Sequence, residues 1–460
     1  MRITSLLQTS FLCLLSASIT FAQVQQSLSL NSLSTFSGSS ISNPATFGLP
    51  ASSSLTVSVA ICSSQATSGR FFLTNGSDVF EIQLNTGFGS WTGSAANNAS
   101  LLVEGVGQST FEVAVSDNGT VHEILDVLPL FGDSTANQAI LFSPPFAFET
   151  TPEPTYPNYS LPLANSSLPD APPSPTFDLV IAPLSAQLTS LPQTGCSLAN
   201  VSSTGTVELN NTWLRGSGDW RSQWFVDGLS PDTNYTAYVI QDEVKVSGPI
   251  YFVTKSSSFP CPLVYSLPYC PSTAYAVPLP PPQSPALAYD AASLPTNISD
   301  PLLQYMTNFT TMLLTFGCGR DLYSPLQTCS DCQREYRSWL CDVSFPRCSE
   351  PSFTSSESSG SNAQAPLSAL QPQPSGATPR NPFFPVVNYT YTSLLPCLEV
   401  CHAVDRACPY FLGISCPVPQ FNADASYGVG FIDSGESGVV GHGTTGAAQD
   451  RWGNLWCNGN

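Results

Sequence analysis

The chain has 460 residues, enough for two or three domains, and a net charge of −19 with only 13 Lys plus Arg. That balance excludes a nucleic-acid partner, which attracts basic surfaces. Charged residues make up only 10% of the chain, so Ser, Thr, Asn and attached glycans must do much of the solubilising.

Residues 1–22 read as a cleavable signal peptide: Arg2 supplies the positive start, a short apolar stretch follows, and Thr20-Phe21-Ala22 supplies small residues for cleavage. An uncleaved anchor is the alternative, but a spanning helix wants about 20 predominantly apolar residues. Of the later segments, residues 302–316 come nearest to a span and are too short and polar. The end of the chain does not resemble a lipid-anchor tail. The mature protein is therefore expected to reach a membrane only through a partner.

Residues 23–50 are Ser-rich and are expected to be poorly ordered. From 51 to 142 short runs of β-branched and aromatic residues alternate with period two, as at 55–61, 79–84 and 110–115, with Asn75-Gly76 and Asn118-Gly119 as turn signals. An all-β sandwich is predicted there. Residues 143–175 are Pro-rich and read as a linker or an extended strap. Residues 176–256 predict a second β domain. Within it the stretch from Gly228-Leu229 to Tyr235 resembles the corner of fibronectin type III domains, where a Leu and a Tyr pack the sandwich edge.

From 257 to 460 the pattern changes to a mainly helical, disulfide-rich domain. Asp300-Pro301 is a good helix start, followed by an apolar stripe of Leu302, Leu303, Tyr305, Met306, Phe309, Met312, Leu313 and Phe316. A second helix is expected after Ser324-Pro325, and a third from near Ser393. The third aligns Cys397, Cys401, Val404 and Cys408 on one face. Residues 349–385 between them read as a disordered insertion, and the Gly-rich stretch 423–448 as a flexible or covering loop.

Cys13 leaves with the signal peptide, so 14 of the 15 cysteines remain, an even number. Cys62 and Cys196 are isolated and can pair with each other. Cys261, Cys270, Cys318, Cys329, Cys332, Cys341, Cys348, Cys397, Cys401, Cys408, Cys416 and Cys457 allow six bridges in a self-contained C-terminal module, with connectivity left open. The spacing of Cys329 and Cys332 also matches redox and zinc motifs, but none of His122, His402 and His442 lies at a zinc-finger distance. Eleven Asn-x-Ser/Thr sequons occur, at Asn75, Asn98, Asn118, Asn158, Asn165, Asn200, Asn210, Asn234, Asn297, Asn308 and Asn388. They predict surface positions on the lumenal or extracellular side.

Chemistry is sparse. There is no Gly-x-Ser-x-Gly elbow. Asp433-Ser434-Gly435 near His442 lacks the flanks of a serine protease, and no carboxylate pair stands out. No catalytic residue, metal ligand or cofactor is assigned. Seven of the eleven Arg lie at or after residue 320: Arg320, Arg334, Arg337, Arg347, Arg380, Arg406 and Arg451. Tyr336, Trp339, Tyr410, Phe411, Trp452 and Trp456 accompany them. Arg and aromatic residues are enriched at interfaces, so this region is the expected partner-binding surface.

The spacing Cys329-Ser-Asp-Cys332-Gln-Arg-Glu-Tyr-Arg-Ser-Trp-Leu-Cys341, then Pro346-Arg347-Cys348, then Cys397-Leu-Glu-Val-Cys401 to Cys408-Pro409 and Cys416-Pro417, resembles the cysteine-rich domain of the fungal stretch-activated calcium-channel regulatory subunits. The residues from Asp450 to Asn458 fit that family too. The layout is similar to Frizzled-type cysteine-rich domains and to the animal auxiliary subunits of the sodium-leak channel. The resemblance covers about residues 258–460. It implies a non-pore, non-enzymatic subunit on the extracellular face of a four-repeat pore-forming channel subunit, supporting its trafficking and calcium influx. It marks no contact residue. The competing expectation is a secreted or wall-associated module that binds a ligand or glycan through the Frizzled-like domain.

Overall fold

A computed structural model describes residues 26–63, 69–149, 154–155, 160–163, 168–350, 369–418, 421–423, 425–428 and 457–459. The expected signal peptide lies outside them, as do Asn158, Asn165, His442, Arg451, Trp452 and Trp456. The described residues fall into two compact units. The first draws on 1–59, 67–85 and 89–120; the second draws on 60–66, 86–88 and 121–460.

The first unit is built from nine strands: β1 (Gln26–Ser27), β2 (Ser32–Ser37), β3 (Ala45–Gly48), β4 (Ser52–Ile61), β5 (Arg70–Asn75), β6 (Asp78–Ile82), β7 (Phe88–Ala95), β8 (Ser100–Glu104) and β9 (Thr110–Ser116). They form two sheets, ordered β1-β3-β8-β5-β6 and β2-β9-β4-β7. Period-two alternation sends Phe71, Leu73, Leu101, Val103, Phe111 and Val113 inward. Phe36 and Phe111 of one sheet meet Phe47 and Phe71 of the other, with ring centroids 4.6 Å apart for Phe36–Phe47 and 5.4 Å for Phe71–Phe111. The Ser-rich segment therefore differs from expectation. Leu28, Phe36, Ala45, Phe47 and Leu49, spaced among the serines, give it a buried face. The β5–β6 hairpin turns on Gly76, whose φ of 66° suits a residue without Cβ.

The second unit continues with β10 (Glu123–Ile124), β11 (Leu130–Ser134), β12 (Ala139–Phe142), β13 (Ala147–Phe148), β14 (Phe177–Pro183), α1 (Gly195–Ala199), β15 (Thr206–Leu214), β16 (Asp219–Asp227), β17 (Asn234–Gln241) and β18 (Lys245–Val253). The Asn118-Gly119 turn does not close a hairpin: β10 pairs in parallel with β18. The boundary expected at residue 142 also shifts. β11 pairs with β12 and β12 with β16, while β14, β17, β18 and β10 form the facing sheet. Phe131, Leu141, Trp224 and Val226 from the first sheet pack with Ile181, Tyr235, Val239 and Phe252 from the second. The fibronectin-like corner forms as the sequence predicts. Leu229 and Tyr235 are buried, and the Tyr235 hydroxyl accepts the Ser230 N–H at 2.8 Å.

The described residues of the Pro-rich segment are held to the fold, as a strap would be. β13 pairs with β16, and Leu161 is buried among Phe309, Leu313, Cys329 and Cys408.

The C-terminal part carries β19 (Leu263–Val264), β20 (Tyr275–Ala276), α2 (Thr296–Leu313), α3 (Cys329–Ser344), β21 (Arg347–Ser349), β22 (Leu370–Gln373), β23 (Tyr391–Leu394) and α4 (Leu398–Ala407). It is less helical than expected, because much of it, including the Pro-rich stretch after β20, runs without regular structure. α2 starts a turn before Asp300, so Pro301 lies inside it. Its buried face is Ile298, Leu302, Met306, Phe309 and Leu313, while Tyr305 and Met312 point outward. α3 follows Ser324-Pro325 as expected and starts at Cys329, with Thr328 as its cap. Ser393 belongs to β23, and α4 begins five residues later. Of the insertion expected over 349–385, residues 351–368 lie outside the described residues; in the described part β22 joins β23, and Phe384 packs on Phe345. Of the Gly-rich stretch, Tyr427 and Gly428 are described and buried.

Seven disulfides close the framework: Cys62–Cys196, Cys261–Cys348, Cys270–Cys341, Cys318–Cys329, Cys332–Cys408, Cys397–Cys457 and Cys401–Cys416. The chain is β-rich and disulfide-rich. The C-terminal module is not self-contained, however. Cys261, Leu263, Ala276 and Cys348 share one core with Ile140, Phe142, Trp213 and Phe225 of the sandwich.

Candidate functional site: an arginine-lined cleft

α3 is held at its start by a capping box. Thr328 Oγ1 accepts the Asp331 N–H at 3.2 Å, and Asp331 Oδ2 accepts the Thr328 N–H at 2.9 Å. Cys332 is bridged to Cys408 at the end of α4, and Cys341 to Cys270. With the helix so pinned, Ser330, Asp331, Arg334, Arg337, Ser338 and Cys341 recur at helical spacing and form one wall of a cleft of about 630 Å³. The opposite wall is the tip of the β15–β16 hairpin, from Leu214 to Gly218, with Pro268, Pro271 and Ser272. Phe148, Glu149, Pro162, Leu163, Leu168 and Pro169 complete it. Gly218 sits at φ 87°, and a Cβ there would meet Glu149 O at 2.6 Å, so the hairpin tip must stay narrow.

The three cationic side chains of the cleft differ in their commitments. Arg215 donates to Ser272 O at 3.1 Å, lies over the Phe142 ring, and burial lowers its pKa to about 10. Arg334 pairs with Asp331 at 3.0 Å and with Glu335 at 3.1 Å. Arg337 is partly buried and has no ion pair or hydrogen bond among the described residues; burial lowers its pKa. Gln333, also in the lining, is occupied. Its Nε2 donates to Pro162 O at 2.8 Å and Thr310 Oγ1 at 2.9 Å, which ties the strap to α3 and α2.

The other residues singled out from the sequence divide into structural and exposed sets. Arg347 is buried against Asp133, and Arg380 donates to Ser426 O at 2.8 Å. Tyr336 stacks on Phe309, and Trp339 Nε1 donates to the Tyr427 hydroxyl at 2.9 Å. Arg320 pairs with its neighbour Asp321, and Arg406 is exposed. His122 is buried, and His402 is half-buried on α4. Among the described sequons, Asn98, Asn118, Asn200, Asn210, Asn234, Asn297, Asn308 and Asn388 are exposed; Asn75 is half-buried.

Of the aromatics expected at a surface, Tyr410 is 95% exposed and Phe411 meets Phe316 at 5.7 Å, with Tyr323 5.5 Å from Phe316. Sequence reasoning missed Leu322 and Leu326, each 84% exposed. Leu322 and Leu326 lie in a short loop between helices, where no periodicity marks them.

A family model described as Mid1, a stretch-activated Ca²⁺-permeable channel component, matches residues 39–442. The chain belongs to that family. A stretch-activated cation channel MID1 of Cryptococcus neoformans var. grubii is 34% identical, over 82% of this chain and 69% of its own. The stretch-activated cation channel yam8 of Schizosaccharomyces pombe is 32% identical, over 48% of this chain and 45% of its own. The MID1 channel of Saccharomyces cerevisiae is 28% identical, over 50% and 43%. The chain thus spans less than half the length of these two yeast relatives. A solved marsupial T cell receptor aligns over 49% of this chain and 96% of its own, at 9% identity and a TM-score of 0.15, too low to inform the fold. Membership of the Mid1 family matches the resemblance read from the cysteine spacing.

Proposed function

We propose that this chain is a non-pore, regulatory component of a stretch-activated calcium channel. It would bind the extracellular face of a pore-forming four-repeat subunit and support calcium influx. The observation that carries the reading is the Mid1-family match across most of the chain. Two observations accompany it. No helix among the described residues is long and apolar enough to cross a membrane. Leu322, Leu326 and Tyr410 are large apolar side chains left exposed, and exposed apolar surface favours binding a partner.

The same proposal covers localisation. Residues 1–22 would direct the chain into the secretory pathway, the exposed sequons would carry glycans, and the seven bridges suit an oxidising compartment. It also covers the finer fold assignment, a Frizzled-type relationship for the three cross-linked helices. Association would run through the pore-forming partner, with no nucleic acid and no cofactor.

The test is co-purification of tagged full-length chain with the pore-forming subunit from fungal membranes, paired with calcium uptake in a deletion strain. Recovery with the channel and restored uptake are expected. Recovery only as free protein in the medium would overturn the proposal and favour a secreted binding module.

A further inference from the structure

We infer that the cleft between α3 and the β15–β16 hairpin is a receptor for an acidic peptide segment of a partner protein, with Arg337 taking its carboxylate. Three observations converge. First, Arg337 is a partly buried cation with no ion pair or hydrogen bond among the described residues, whereas Arg215 and Arg334 beside it are committed. A desolvated charge gains most from a bidentate carboxylate, which the planar guanidinium fits. Second, the cleft of about 630 Å³ far exceeds what a small inorganic anion fills and is in the range that holds a drug-sized ligand, about the bulk of a few residues. Third, its lining also brings proline and apolar side chains, Phe148, Pro162, Leu163, Leu168, Pro169 and Leu214, beside the hydroxyls of Ser217 and Ser272 and the exposed Glu149. An extended segment with Glu or Asp between proline or aliphatic neighbours matches both the charge and the walls.

Identifying the partner as the channel's pore-forming subunit rests on the function proposed above; recognition of the carboxylate does not. The first experiment therefore uses the purified full-length chain alone. A blocked pentapeptide Pro-Leu-Glu-Leu-Pro, its Gln twin and its Lys twin are titrated at low salt. The Glu peptide is expected to bind about tenfold more tightly than the Gln twin, with the advantage shrinking at high salt, and the Lys twin most weakly. Arg337→Gln should bring the Glu and Gln peptides within about twofold, while Arg337→Lys retains part of the preference. Equal binding of Glu and Gln peptides by the unaltered chain overturns the inference, as does inorganic phosphate binding as tightly as the Glu peptide. In the second experiment Arg337→Gln is expected to reduce co-purification with the channel severalfold. Undiminished recovery of the variant overturns the assignment of the channel as the cleft's occupant. If the unaltered chain itself is not recovered with the channel, the function proposal fails, and the peptide titration still decides the cleft.

Discussion

Arg347 and Asp133 stand 214 residues apart in the chain and meet in the core, Arg347 Nε on Asp133 Oδ2 at 3.0 Å. Arg347 also donates to Gly132 O at 2.7 Å, and its guanidinium lies over the Tyr275 ring. Asp133 accepts further hydrogen bonds from Ser134 N at 2.9 Å and Ala276 N at 3.2 Å, with Lys255 Nζ 3.5 Å away. One buried carboxylate thus joins the sandwich strand β11 to β20 and β21 of the disulfide-rich part.

Breaking that pair leaves the buried Asp133 charge with only the more distant Lys255 as a counter-ion. Arg347→Met is expected to destabilise the second unit by about 3–5 kcal/mol. Adding Asp133→Asn should recover part of the loss, a coupling that a double-mutant cycle by urea unfolding measures. Purely additive losses would show the pair to be incidental. Burial opposes ionisation of Asp133, but Arg347, Lys255 and the two N–H donors hold its carboxyl below the usual range. Its contribution is therefore present above the unfolded-state value and lost as pH falls through the lower folded value, below about 4.

Asp342 behaves oppositely. It is buried on α3 with an unpartnered Oδ2, and burial pushes its pKa up to about 8, against the pull of Arg347 and Arg215. The folded state keeps the proton that the unfolded state has released. Its contribution to stability is thus full below about 4 and is lost as pH rises through about 8. The unfolding midpoint should decline across that window. Asp342→Asn should flatten the decline and raise stability at pH 8; an unchanged slope would refute the assignment.

The disulfides should not weigh equally. Cys332–Cys408 spans 76 residues and joins α3 to α4, whereas Cys318–Cys329 spans 11. Loop-closure entropy makes the longer bridge worth roughly 1–2 kcal/mol more. Replacing Cys332 and Cys408 together by Ala should lower the secreted yield well below that of the Cys318/Cys329 double variant. Equal yields would count against the entropic ranking.

At the sandwich corner, Tyr235→Phe removes one hydrogen bond, from Ser230 N–H, with the ring still buried. A loss of about 1 kcal/mol is expected, read as a shift in unfolding midpoint without a change in m. Ser230 is exposed, so water can take over the freed N–H, and a loss above about 3 kcal/mol would contradict this account.

The sequons should separate by role. Asn75 Nδ2 donates to Ser94 O at 2.7 Å and its Oδ1 accepts from Ala96 N at 2.9 Å, so its amide ties the β5–β6 turn to the end of β7. Asn98 is exposed, with no such bridge among the described residues. Asn75→Ala is expected to cost about 1–2 kcal/mol in enzymatically deglycosylated protein, and Asn98→Ala close to nothing. Similar costs at both positions would remove the distinction.

Some elements are legible in the residue pattern itself. The alternation in β5, β8 and β9, the Leu229–Tyr235 corner and the Cys401–Val404 part of the expected stripe depend on spacing within a few residues, and period alone places them; Cys397 and Cys408 fall just outside the ends of α4. Local pattern fails where distant contacts take over. Ser32–Ser37 reads as polar and disordered, yet Phe36 finds Phe47 and Phe111. Residues 370–373 lack a strand signature of their own but pair with β23. Of the seven Arg grouped by position, the sequence does not separate Arg347, committed to a core carboxylate, from Arg337, left facing a cleft.

By itself the sequence determined the broad chemistry of this protein: an acidic, sequon-rich chain whose cysteines fall in the spacing of the Mid1 family. Those properties are sums and short-range spacings, which composition carries directly. Tertiary structure alone decided which cysteines pair, that Arg337 faces a cleft with no ion pair or hydrogen bond among the described residues, and that the disulfide-rich module shares its core with the sandwich. Those outcomes depend on contacts between residues tens to hundreds of positions apart. Such contacts are chosen by burial and complementary charge across the whole fold, and no local window contains them.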